Sequence, residues 1–201
     1  KDIESIKRVL VAFIPTAIIG FTLYKFIKQY LIGNSEVVLL SLFLGGIVLI
    51  AIELLFRSKN QEARIKNNPQ SIINNQLSYE KAFTIGLFQA VAMIPGVSRA
   101  AATIIGGMMV GLPRKTAVEF SFLLAVPTML AATALDLPSV ALSREGFTHL
   151  ELISLTFGFI TSFIVALIAI RWLLRYIQKN NFVPFGAYRI IVSLVYFLLI
   201  G

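Results

Sequence analysis

Gln89-Ala-Val-Ala-Met-Ile-Pro-Gly-Val-Ser-Arg-Ala-Ala-Ala-Thr103 is the stretch on which the reading of this chain turns. It is an apolar run broken in its middle by Pro95-Gly96, with Ser98, Arg99 and Thr103 just past the break. Proline removes an amide donor and glycine admits left-handed backbone, so one helix should stop here and another start. The sequence on either side is too apolar for a surface loop. An arginine at the start of a buried half-helix calls for an anionic partner. The first amides of a helix, together with Ser and Thr hydroxyls, suit a phosphate.

The surrounding chain has the composition of a membrane scaffold. Of its 201 residues 57% are hydrophobic and 14% charged, and the mean hydropathy is +0.83. Soluble domains carry about 25% charge, so the expected fold class is an all-α integral membrane protein, a polytopic helical bundle. The absence of cysteine excludes disulfides and thiolate metal sites. A net charge of +8 would suit nucleic acid. The charges sit between apolar segments, however, where they flank membrane spans, and nucleic acid is not an expected partner.

Residues 1–201 read as a single transmembrane domain. Residues 9–56 hold two spanning helices, Val9–Ile27 and Val37–Leu55, joined at a Gly33-Asn34-Ser35 turn; about 20 residues cross a core of about 30 Å. The polar residues 57–81 read as a cytoplasmic loop. Residues 82–110 form two halves around the Pro-Gly break, each giving only about 16–20 Å of helix. They are either one kinked helix or a re-entrant hairpin with its tip, Pro95–Arg99, near mid-membrane. Irregular backbone at that depth is tolerated only where protein or a water-filled cavity surrounds it, the setting of a polar site. Residues 116–200 supply three spans, Thr116–Leu135, Leu152–Ile170 and Phe182–Ile200, with a loop over 137–150 that holds His149.

Charge separates the two readings of 82–110. With a hairpin, residues 1–8, 57–81, 111–115 and 171–181 share one side and carry thirteen of the 18 Lys and Arg residues. Lys25, Lys28 and Arg144 lie on the other side. A full crossing would divide these charges nearly evenly. The positive-inside bias therefore favours the hairpin, with the basic side cytoplasmic.

Arg99 is the strongest candidate for chemistry: a charge deep in a membrane segment is costly, and a guanidinium matches phosphate bidentately. The alternative is a structural pairing with Glu119 or Glu53. Ser98 and Thr103 are candidate hydrogen-bond donors to phosphate, with a helix cap or a back-bonded hydroxyl as the plainer reading. Gln89 reads equally as facing the site or as a buried glutamine satisfied by its neighbours, and Glu119 as neutralising an arginine or facing the cavity. Arg114 and Lys115 read as topology anchors, and the partner of Arg189 is open. Gly107-Met-Met-Val-Gly111 fits small-residue helix packing. There are no paired carboxylates, no His/Glu metal spacing and no nucleotide-binding loop.

The run Phe88-Gln89, Ile94-Pro95-Gly96-Val97-Ser98-Arg99-Ala100-Ala101-Ala102-Thr103 and Gly106-Gly107-Met108 resembles the second signature of the undecaprenyl-pyrophosphate phosphatase family, also called bacitracin-resistance proteins. Glu119-Phe-Ser-Phe-Leu-Leu-Ala-Val-Pro127, Ala132-Thr-Ala-Leu-Asp136 and Val183-Pro-Phe-Gly-Ala-Tyr-Arg189 resemble it as well. The resemblance implies a multi-pass enzyme of the bacterial inner membrane. Its reaction would be hydrolysis of undecaprenyl pyrophosphate to undecaprenyl phosphate, recycling the lipid carrier of cell-wall synthesis. It further implies two inverted repeats, each with a re-entrant hairpin, and a site opening outward. Arg99 and Ser98 would be the catalytic residues, with Arg99 as the phosphate clamp; Thr103, Gly96, Gln89 and Glu119 would bind substrate. A divalent cation, Mg2+ or Ca2+, is implied, without a metal ligand in this chain. The expected partners are the polyprenyl pyrophosphate lipid, the bilayer and a second copy of the chain in a homodimer.

The sequence departs from the family pattern in two ways. Ala100-Ala101 stands where Ser-Gly is usual, removing a hydroxyl. The family's first signature, a glutamate-rich re-entrant segment with a Ser-Ser-Thr-Gly-His run, belongs upstream of Lys1. The 201 residues are thus expected to carry about half of the site and to be inactive alone. The competing functional class is a transporter or flippase of a phosphorylated lipid or small anion, since broken helices also occur there.

Overall fold

A computed structural model describes residues 2–66, 77–142 and 148–200. The described residues are helical, in the order α1 (Asp2–Phe26), α2 (Ser35–Lys66), α3 (Tyr79–Val91), α4 (Arg99–Met109), α5 (Arg114–Leu142), α6 (His149–Lys179) and α7 (Val183–Ile200). A π-helical turn, Ile27–Leu31, extends α1. Four stretches are long and apolar enough to cross a membrane: Ile3–Leu31, Ser35–Phe56, Arg114–Asp136 and His149–Ile177. Val183–Leu199 is a shorter apolar helix. The fold is that of a polytopic helical membrane protein.

Two compact units divide the chain. The first comprises residues 1–124 and 181–201 and the second residues 125–180. In the second unit, α6 begins at a capping box. The Thr148 hydroxyl accepts from the Glu151 amide at 3.3 Å, and the Glu151 carboxylate accepts from the Thr148 amide at 2.9 Å. Over residues 152–170 the helix carries no charge, with Phe157, Phe159, Phe163 and Ile168 all exposed. Such a helix suits contact with lipid.

The first unit is built from helix pairs. α1 packs on α3, α3 on α4, α2 on α7, and α4 also touches α2. Small residues set these approaches. A Cβ on Gly86 would overlap the Ala12 carbonyl, so α3 lies directly against the backbone of α1. A Cβ on Gly46 would come within 2.7 Å of the Gly186 carbonyl, which holds α2 against α7. A Cβ on Gly107 would lie 2.8 Å from that of Ala117, joining α4 to α5. Close backbone approach of this kind is how membrane helices associate where no hydrophobic force separates them from lipid.

Several sequence expectations need correction. The helix α2 does not end near residue 56: residues 57–66, read as the start of a loop, continue it. Polar composition there marks where the helix leaves the bilayer. With no Gly or Pro before Pro69, and with Gln61-Glu62-Ala63-Arg64 favouring helix, nothing stops it sooner. Residues 67–76 and Arg144 lie outside the described residues. α5 likewise runs through Pro138 to Leu142, a tolerated interruption in membrane helices. His149 is the first residue of α6 and not part of a loop.

At one end of the first unit, three elements meet on Glu53, which is 3% exposed. Its carboxylate pairs with the Arg114 guanidinium at the start of α5 and accepts the Phe182 amide, at 3.4 Å, at the start of α7. The Arg114 guanidinium also lies over the Phe182 ring, 5.5 Å from its centroid. Arg114 is therefore an internal fastener as well as a boundary charge. Removing one partner of a buried pair costs about 3–5 kcal/mol, because the other charge stays behind. Glu53→Ala should lower the thermal midpoint in detergent accordingly. Glu53→Ala/Arg114→Ala should cost less than the sum of the two single changes, as a double-mutant cycle of melting curves would show.

Candidate functional site

The break at Pro95-Gly96 folds the chain back on itself. In one continuous helix residues 88 and 106 would be about 27 Å apart. Here a Cβ on Gly106 would lie 2.8 Å from the Cβ of Phe88. α3 and α4 are the two arms of a hairpin, and the single kinked helix is excluded.

The local sequence explains the tip. The end of α3 tightens into shorter-range bonds, from Met93 N–H to the Ala90 carbonyl at 3.1 Å and from Ile94 N–H to the Val91 carbonyl at 3.2 Å. Ile94-Pro95-Gly96-Val97 then makes a turn closed by Val97 N–H donating to the Ile94 carbonyl at 3.1 Å. Proline second and a positive-φ residue third define a type II turn, and Gly96 has φ +90°. Ser98 caps α4, its hydroxyl accepting from Ala101 N–H at 3.2 Å. Arg99 is the first helical residue, where the leading amides have no intrahelical acceptor. α4 ends in a Schellman motif, with Leu112 N–H on the Gly107 carbonyl at 2.9 Å and Gly111 at φ +88°.

The tip rests on α2. A Cβ on Gly96 would lie 2.5 Å from the Val38 carbonyl and 3.0 Å from the Ser41 Cβ. Gly96 is thus required twice, for its φ and for its lack of a side chain.

Arg99 is half-buried, and its Nη1 donates to the Ser121 carbonyl of α5 at 3.4 Å. The carboxylates proposed as structural partners are engaged elsewhere. Glu53 holds Arg114, and Glu119 lies 3.8 Å from Lys115 on its own helix. Glu119 is two residues from Ser121, and side chains so spaced do not share a helix face. The structure therefore does not bring Glu119 to the tip.

Two further candidates face inward. Thr103 is fully buried; its hydroxyl donates back to the Arg99 carbonyl, at 2.9 Å, or the Ala100 carbonyl, at 3.1 Å, and meets the Ser121 hydroxyl at 2.6 Å. It clamps the first turn of α4 to α5, one turn from Arg99 on α4, and both residues meet Ser121. Gln89, 1% exposed, points at α1: its Nε2 donates to the Thr16 hydroxyl at 3.0 Å, and that hydroxyl donates to the Gly86 carbonyl at 3.0 Å. It fastens the hairpin arm to α1.

Sequence reasoning missed Ser121 and left Arg189 open. Arg189 projects from α7 past Gly45 on α2, and its Nη2 donates to the Gly96 carbonyl at 2.8 Å and the Ser41 carbonyl at 3.3 Å. A guanidinium from the far end of the chain therefore touches the hairpin tip. Its signals in the sequence are a charge placed inside an apolar segment and its membership of the Val183–Arg189 run.

At the tip, guanidinium, hydroxyl and helix-amide donors converge with no carboxylate bonded to them among the described residues, a set suited to an anion. Among the described residues no group of three or more His, Cys, Asp or Glu is placed to hold a metal ion. Gly96→Ala should force the tip off α2 and strain its turn, costing about 1–3 kcal/mol from the backbone conformation alone. Thermal melting in detergent would register the loss.

The family model for the bacitracin resistance protein BacA matches residues 1–195. The undecaprenyl-diphosphatase of Aquifex aeolicus (strain VF5) is 50% identical over 196 residues, which cover 98% of this chain and 72% of that relative. That of Sulfurihydrogenibium sp. (strain YO3AOP1) is 47% identical over 199 residues, covering 98% of this chain and 73% of the relative. That of Persephonella marina (strain DSM 14350 / EX-H1) is 45% identical over 202 residues, covering 99% and 73% respectively. With a matching model over nearly its full length and an Arg99-bearing hairpin at its centre, this chain belongs to the BacA bacitracin resistance protein family.

Proposed function

We infer that the protein is a membrane phosphatase that hydrolyses undecaprenyl pyrophosphate to undecaprenyl phosphate and inorganic phosphate. Water adds to the terminal phosphorus as the bridging P–O bond breaks, and the lipid phosphate leaves. The observation that carries this reading is Arg99. It is a guanidinium at the N-terminus of α4, on a hairpin tip within the apolar scaffold, with a backbone carbonyl and no carboxylate as its described partner. A pyrophosphate supplies the missing negative charge.

In this proposal Arg99 grips the terminal phosphoryl group in a bidentate fork and offsets charge that builds on its oxygens during transfer. The leading amides of α4 add their dipoles. The Ser98 hydroxyl accepts the cap bond from Ala101 and so keeps its proton to donate to a phosphate oxygen. Gly96 sets the turn, and Thr103 with Ser121 fixes the α4 turn that aims Arg99. A divalent cation, magnesium or calcium, belongs to the proposal on family resemblance alone, and no step is assigned to it. The same resemblance supports a bacterial inner-membrane enzyme that acts as a homodimer and returns the carrier lipid to cell-wall synthesis.

Phosphate release from undecaprenyl pyrophosphate by the full-length protein in detergent, with each substitution made in that protein, tests the assignment. Arg99→Ala should lower turnover by about a hundredfold or more, the scale of losing a charge-stabilising donor. Thr103→Val, which disturbs only the support of Arg99, should lower it less. Equal rates for Arg99→Ala and the unsubstituted protein would overturn the clamp. Movement of intact substrate across a bilayer without release of phosphate would identify a transporter instead.

A further inference from the structure

Arg189 lies in the apolar helix α7 with no carboxylate among its described partners. Its Nη2 instead joins two backbone carbonyls, Ser41 in α2 and Gly96 in the hairpin turn, across 148 and 93 residues of sequence. Its Nε is buried without a hydrogen-bond partner. Burying such a donor is unfavourable, so the geometry is maintained against a local cost. The path is also built for it: a Cβ on Gly45 would stand 2.5 Å from Nη2 and 3.2 Å from Cζ. Gly45 therefore leaves the lane through which the guanidinium passes α2.

The bonded carbonyl has a particular place. Gly96 is the positive-φ residue of the turn, two residues before the Ser98 cap and three before Arg99. Its peptide orientation sets where α4 begins. A charged donor bond to that carbonyl holds the peptide in one orientation, and a bond to a cation is stronger than one between neutral groups.

We propose that Arg189 is a positioning residue: by gripping the Gly96 carbonyl it locks the turn and so aims Arg99 and Ser98 at the phosphoryl group. This rests on the phosphatase reading above. It adds a contribution from α7 to a site otherwise made by the hairpin tip, α4 and α5. A misplacement of about 1 Å at a reacting centre costs on the order of a hundredfold in rate.

Two substitutions separate geometry from charge. Arg189→Met removes both, whereas Gly45→Ala keeps the charge and displaces the guanidinium. Both should lower kcat by about tenfold to a hundredfold while KM changes less than about threefold. A nitroxide on Val97→Cys, the sole thiol in a chain with no cysteine, should report a more mobile tip in both variants. Wild-type kcat in Arg189→Met would overturn the proposal. So would a rise in KM at unchanged kcat, which would make Arg189 a direct substrate ligand. Loss of turnover with an unchanged nitroxide spectrum, or loss matched by a falling folded fraction, would overturn it too. If the unsubstituted protein releases no phosphate, the phosphatase reading itself fails; if it does and only Arg99 matters, this inference alone fails.

Discussion

The contact between the Gly96 backbone and the Val38 carbonyl governs the rest of the architecture. A hairpin ending inside a membrane must hide its irregular peptides against protein, because lipid offers them no hydrogen bonds. Here the tip lies so close to α2 that only glycine fits. Once the tip is fixed there, the other arrangements follow. α3 must lie against α1, which Gly86 permits, and α4 must fold back over Phe88, which Gly106 permits. α7 must lie beside α2 to bring Arg189 to the turn, which Gly46 and Gly186 permit.

Charge is distributed by the same logic. The first unit buries two kinds of arginine. Arg114 is neutralised by Glu53 at the edge of the helices, where the pair fastens three elements. Arg99 and Arg189 instead face only carbonyl oxygens in their described contacts. Neutralising the fastener and leaving the tip cationic keeps a positive potential where an anionic headgroup would enter. In a low-dielectric surrounding that potential is far stronger than the same charges in water.

The sequence made the hairpin legible because its determinants are local: proline, glycine, a cap serine and a charge asymmetry on either side. The membrane class was equally plain from apolar length. Helix ends were less legible. The polar residues after Phe56 looked like a loop, yet a helix need not end where it leaves the bilayer. Facing was the hardest part. For Gln89 and Thr103 the sequence leaves a site-lining role and a structural one equally open; the hydrogen bonds to Thr16 and Ser121 give each a structural partner. Ser121 and Arg189 act through contacts with residues far along the chain, and no local pattern specifies which carbonyl a distant guanidinium will meet. The resemblance identified the segments that matter without assigning the roles of their side chains.

The Glu53 fastener has a consequence for how the chain is made. Glu53 is synthesised in α2, while its cation comes with Arg114 and a further amide donor with Phe182. The glycine face of α2 likewise waits for α7, which is made well after it. During synthesis α2 therefore precedes the partners of both its acidic side chain and its notched surface. The membrane insertion of α2 and its packing are separate events in time, and the hairpin tip acquires the bond from Arg189 only when α7 docks.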